Sequence, residues 1–214
     1  MSSSNRCLKM LDVGCGRGGM SNGFAAEGFD VTGIDIVDAP KLLGYPYKFI
    51  QGDIRKLDGS QFRGFDVIHG SMPCRNFSII AKTLGQYWKN PPNIEAGLEL
   101  VNAFTKFVED AQPTYWIMEN VHLLKDHYTQ PVFIAPLGKA MRRGFWGNFP
   151  PFLMPRTNKV LTAKMANGKM THFKCRSNHA KDSWIRAEIP IACSQAFAKA
   201  CREALEQPTE CVIG

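Results

Sequence analysis

Short apolar runs and helical stretches alternate along the first two thirds of the chain, and few architectures accommodate such an order. Strand candidates fall at 8–13, 30–35, 47–51, 65–70, 114–119 and 132–135. Segment 17–28 lies between the first two and reads as the crossover helix that parallel neighbours require. The pattern predicts a mostly parallel sheet with helices on both faces. The clearest helix covers 93–111, where Leu98, Val101, Phe104, Phe107, Val108 and Ala111 recur at three- and four-residue steps. Asn93 is placed to cap it and Pro113 follows its end. A second helix is expected from Ser194 to about 206, with Phe197, Cys201, Ala204 and Leu205 on one face. These stripes are packing signals.

With 214 residues and 44% hydrophobic composition, the chain can bury one sizeable core. No apolar run approaches the roughly 20 residues of a membrane span. The first predicted strand begins almost at the amino terminus, so no signal peptide and an intracellular location are expected. Seven cysteines (7, 15, 74, 175, 193, 201 and 211) form no paired framework and are read as free thiols. His172, Cys175 and His179 lie close together but lack the two-pair spacing of a zinc site, and no metal is expected. Charge is unevenly spread. Of the net +7, residues 138–202 carry 13 Lys and Arg against two acids, leaving the rest of the chain mildly acidic. A basic third of this kind suits phosphates, although a solvated face reads the same way.

Asp12-Val-Gly14-Cys-Gly16-Arg-Gly18-Gly follows the first strand and opens the first helix. Glycines permit tight turning and close ligand approach, while the helix start offers N–H groups. Asp35 ends the second strand, where a carboxylate can accept from ribose hydroxyls, and Asp53 follows the third. The order D-x-G-x-G-x-G resembles motif I of class I S-adenosylmethionine methyltransferases, and Asp53 resembles the next adenine-side motif. The resemblance implies a methyl-donor site built from Asp12, Gly14, Gly16, Gly18, Asp35, Ile36, Asp53, Ile54 and Pro73.

After the fourth strand comes Pro73-Cys74-Arg75-Asn76-Phe77-Ser78, and Glu119-Asn120-Val121 ends the fifth. In an open α/β sheet ligands bind beyond the carboxyl ends of the strands, which is where both segments fall. They resemble motifs IV and VI of the DNA cytosine-5 methyltransferases. Arg142-Arg143-Gly-Phe-Trp146 resembles motif VIII as short phage-type members carry it, and Ile189-Pro190 with the following helix resembles motif X. The likeness runs from about residue 8 to 205. It implies a Rossmann-like catalytic core over 1–149, a short basic insertion at 150–186 in place of a full target-recognition domain, and a returning helix at 187–214. It also implies Cys74 as nucleophile and Glu119 as the group that stabilises charge on the base. Arg75, Asn120 and either Arg142 or Arg143 would contact substrate DNA.

The chain departs from that family in three places. Arg75 replaces a usual Gln, Met72 replaces a usual Pro, and motif I lacks the Phe-Ala-Gly form. The 150–186 segment is short for base readout, which predicts low specificity or a short or single-stranded target. RNA or a free cytidine nucleotide is the alternative substrate. A degenerate binding module, or a small-molecule methyltransferase with an incidental Cys74, is the alternative class.

Overall fold

The computed structural model describes residues 6–84, 87, 89–136, 142–153 and 188–207. All six expected strands form, with small shifts of their ends: β1 (Lys9–Val13), β2 (Asp30–Asp35), β3 (Lys48–Gln51), β4 (Val67–Ser71), β5 (Tyr115–Val121) and β6 (Phe133–Pro136). A seventh, β7 (Arg142–Asn148), was not expected. The sheet order is β3-β2-β1-β4-β5-β7-β6. The first five strands pair in parallel, and β7 runs antiparallel to both neighbours.

Both faces are covered, so the strands are apolar along most of their length rather than alternating. On one face lies α4 (Ile94–Ala111), following two short helices, α2 (Ala39–Leu43) and α3 (Ile79–Leu84). Asn93 caps α4 by accepting from the Ala96 N–H at 3.0 Å, as the sequence suggested. Phe104, Phe107 and Val101 pack from α4 onto Leu11, Ile68 and Met118. The other face carries α1 (Gly19–Ala26) and α5 (Ile191–Glu206). Here α5 starts a turn earlier than expected, because Pro190 rather than Ser194 stands at its cap. Ser194 lies inside the helix, its Oγ donating to the Ile191 carbonyl at 3.0 Å. Gly23 lets α1 and α5 approach closely: a Cβ there would stand 2.2 Å from Ser194 Oγ.

Phe197 anchors α5 to the sheet. Its ring lies 4.3 Å from Phe152, 5.0 Å from Phe145, 5.4 Å from Phe149 and 5.9 Å from Phe133, centroid to centroid. Phe197→Ala is therefore expected to destabilise the protein by about 3–5 kcal/mol. Urea unfolding checks this, and a loss below about 1 kcal/mol would mean that the cluster collapses around the cavity at little cost.

The His172, Cys175 and His179 group and most of the 150–186 segment lie outside the described residues. No helix among the described residues is long and apolar enough to cross a membrane.

Candidate active site

The parallel register brings the motif-bearing ends together. Ser71 pairs with Glu119 across β4 and β5, and Val121 pairs with Arg143 across β5 and β7. The antiparallel β7 thus carries an arginine back toward the loop that begins at Cys74. Of the two arginines, Arg142 is exposed, whereas Arg143 is buried with its Nη1 3.0 Å from Glu119 Oε1. The sequence left the choice open; the register places Arg143 at the site.

Glu119 is buried, and its two oxygens differ. Oε2 accepts from Ser71 Oγ at 2.9 Å. Oε1 faces Arg143 but lies outside hydrogen-bonding geometry with it and has no other partner among the described residues. One oxygen is fixed by a hydroxyl and the other faces the guanidinium as an ion pair. Arg143 also lies beside the Cys74 thiol and interacts with it electrostatically. Burial opposes the arginine's charge, but Glu119 and Cys74 beside it outweigh burial and hold the guanidinium charged. For the partly buried Cys74, burial pushes the thiol up, Arg143 opposes this and Glu119 adds to it.

Asn120 is fully buried and spends its amide on backbone, donating to the Met72 carbonyl at 3.0 Å and accepting from Val121 N–H at 2.9 Å. It therefore fixes the strand end before Cys74. Arg75 is exposed and bonds to the Asn90 carbonyl. Phe77 is core: it packs against Gly97 of α4. Tyr87 is exposed, and the Trp88 side chain lies outside the described residues.

The glycine loop abuts this cluster. Gly14 sits at φ +72°, and a Cβ on it would stand 2.5 Å from the Ser71 carbonyl oxygen. Gly16 and Gly18 are also left-handed. Gly16 N–H donates to Asp35 Oδ2 at 3.0 Å and Val37 N–H to Oδ1 at 3.2 Å. Burial raises the Asp35 carboxyl, while these backbone donors oppose the rise. Next to it Ile36 is 59% exposed, an apolar surface at a strand's carboxyl end. Ile54 is buried, Pro73 exposed, and Arg55 pairs with Asp53 and holds that carboxyl well below its usual range, at about 2. Asp12 is buried behind the loop, its oxygens engaged by Ser21 and His69. Glu188 and Ile189 close over Gly19, where a Cβ would meet the Glu188 side chain at 2.7 Å. A left-handed glycine cradle, a buried acid and an exposed isoleucine fit a nucleoside bearing a polar tail. Sequence reasoning missed Ser71 and His69. The signal was there: each is a polar residue in an otherwise apolar central strand.

Gly14→Ala should weaken S-adenosylhomocysteine binding by about tenfold or more, since the left-handed backbone alone costs roughly 1–2 kcal/mol. Titration calorimetry reads this; unchanged affinity would mean that the loop tolerates a side chain and is not the cradle.

Strand order and glycine loop together define a Rossmann-like, class I methyltransferase fold. The sequence profile described as C-5 cytosine-specific DNA methylase matches residues 8–140, more than half of the chain, and the chain belongs to that family. Type II methyltransferase M.XorII of Xanthomonas oryzae pv. oryzae is 27% identical over 124 residues, covering 52% of this chain and 27% of the relative. Type II methyltransferase M.HgiGI of Herpetosiphon aurantiacus is 30% identical over 125 residues, covering 53% and 90%. The chain spans about a third of the length of M.XorII, M.HgiDII and M1.HphI. Among solved structures, the S. pombe Dnmt2 methyltransferase aligns at a TM-score of 0.44 and 16% identity, covering 65% of this chain and 48% of that one.

Proposed function

We propose that this chain transfers a methyl group to carbon 5 of cytosine in DNA, through a covalent adduct with Cys74. The observation that carries the reading is the triangle of Cys74, Arg143 and Glu119 beside a glycine cradle. S-adenosylmethionine supplies the electrophilic methyl group when bound, and Gly14, Gly16, Gly18, Asp35 and Ile36 would hold it. Asp53 and Ile54 would flank that site: they follow β3 just beyond Gly52, whose N–H donates to the Asp35 carbonyl at 2.9 Å. The Cys74 sulfur forms a bond to cytosine carbon 6, which makes carbon 5 nucleophilic. Arg143 stabilises the thiolate as it forms, offsetting the cost of burial. Glu119, through the oxygen that Ser71 does not occupy, holds the proton at ring nitrogen 3. Carbon 5 would then take the methyl group as its bond to the sulfonium sulfur breaks, leaving S-adenosylhomocysteine; a base removes the carbon 5 proton, the sulfur–carbon bond to Cys74 breaks, and the thiolate returns. In duplex DNA the cytosine must first be flipped from the stack.

In this reading residues 1–149 form the catalytic core, 150–186 a reduced recognition segment and 187–214 the helical return. Exposed Arg75 and Arg142 would contact the DNA, and so short a basic segment would confer little sequence readout. Bisulfite sequencing of duplex and single-stranded DNA after incubation with S-adenosylmethionine should show 5-methylcytosine at many or very short sites. Methylation of one long sequence would contradict low specificity. Methylation of RNA or cytidine nucleotides alone would overturn the DNA assignment.

Because burial raises the Cys74 thiol, its alkylation by iodoacetamide should be slow near neutrality and accelerate through the alkaline range. The measurement is peptide mapping of Cys74 across pH. Fast, pH-independent labelling would mean that Arg143 already holds the thiolate in the free protein.

A further inference from the structure

We propose that His69 is a positioning residue for the methyl-donor loop, acting through Asp12; this rests on the glycine cradle being the cofactor site. Asp12 stands in β1 just before the loop, and Ser21 lies in the first turn of α1 just after it. Asp12 Oδ2 accepts from the Ser21 N–H at 3.2 Å and from the Ser21 hydroxyl at 2.5 Å. One carboxylate therefore clasps both ends of the loop.

The clasp is itself held from two sides. Ser21 Oγ lies 2.9 Å from the Tyr45 hydroxyl, and the Tyr45 ring packs over Gly18 and Gly33. Asp12 Oδ1 lies 2.7 Å from His69 Nδ1. A carboxylate offers only lone pairs, so Nδ1 carries the hydrogen and donates. Asp12, Ser21 and His69 are all at most 1% exposed, so water cannot replace a lost partner. The register pairs Asp12 with His69 directly, with both side chains on the α1 and α5 side of the sheet.

Nothing in the proposed chemistry needs a histidine here. His69 Nε2 is buried with no partner among the described residues. A group that leaves one polar nitrogen unsatisfied must return something through the other. The return is the orientation of Asp12, and through it of the loop. His69 also sits two residues before Ser71, the donor to Glu119, so one strand supports both halves of the site.

The two ring nitrogens give a decisive test, because Asn places its amide nitrogen near Nδ1 and Gln places its own near Nε2. Direct calorimetric binding of S-adenosylhomocysteine to the full chain would be measured for wild type, His69→Ala, His69→Asn and His69→Gln, with thermal midpoints alongside. Val67→Ala, on the same strand and face but outside the network, serves as the stability control. Expected are dissociation constants about tenfold or more above wild type for Ala and Gln. For Asn the expected value is within about threefold of wild type. Val67→Ala should lower the midpoint and leave affinity intact. Should His69→Ala fail to fold, the comparison of Asn with Gln still decides. Equal affinity for all His69 variants, or an equal loss in Val67→Ala, would overturn the inference. If wild type itself does not bind, the cofactor assignment fails instead.

Discussion

Cys74→Ala is expected to reduce methyl transfer by roughly 10⁴-fold or more, the scale on which losing a covalent nucleophile acts. S-adenosylhomocysteine binding and the unfolding midpoint should be almost unchanged. Cys74 lies in a short turn after β4, belongs to neither main apolar cluster and takes no part in the glycine loop's own hydrogen bonds. Removing one sulfur there deletes chemistry with little packing. Single-turnover transfer of a labelled methyl group to cytosine-containing DNA gives the number. If Cys74→Ser kept most of the activity, a small-molecule methyltransferase with an incidental thiol would describe the protein better.

Arg143→Leu is the second large effect, and it acts on stability as well as chemistry. Arg143 and Glu119 are both buried, with side chains 6% and 1% exposed, 3.0 Å apart. Removing the cation leaves an uncompensated buried carboxylate, which typically costs about 3–5 kcal/mol. The pair need not be a net source of stability, since both charges were desolvated to make it. The double change Arg143→Leu with Glu119→Gln should therefore recover most of the loss. Denaturant unfolding of the two singles and the double completes the cycle. A mild effect of Arg143→Leu alone would show that Glu119 is neutralised in some other way. Transfer should fall in the double variant even where the fold returns, because both charged groups are gone.

Much of this was legible in the sequence because parallel strands covered on both faces read as plain apolar runs. β2 matches its expected bounds, and α4 departs by a single residue at its capped start. β7 was not legible. It carries Arg142, Arg143, Gly144 and Gly147, which look like surface and turn residues. They are a strand because Arg143 forms an ion pair with Glu119 and because Gly147 lies against the Trp116 carbonyl of β5. The start of α5 was misread for a related reason. Ser194 has the chemistry of a cap, but it spends its hydroxyl inside the helix and its surface against Gly23. At the site, Cys74 and Glu119 could be named from motif order, yet the choice of arginine needed the register between β5 and β7. Asp12 was expected at the cofactor; its burial behind the loop was not legible, because its partners, Ser21 and His69, come from elements that only the fold brings together.

The most direct measurement is covalent trapping on DNA containing 5-fluorocytosine in the presence of S-adenosylmethionine, comparing wild type with Cys74→Ala. Fluorine at carbon 5 blocks the final proton removal, so the sulfur–carbon bond cannot be released. The wild-type protein should form an adduct that survives denaturation and maps to Cys74, and Cys74→Ala should form none. Absence of any adduct on duplex and single-stranded DNA, from a preparation shown to bind S-adenosylhomocysteine, would contradict the account.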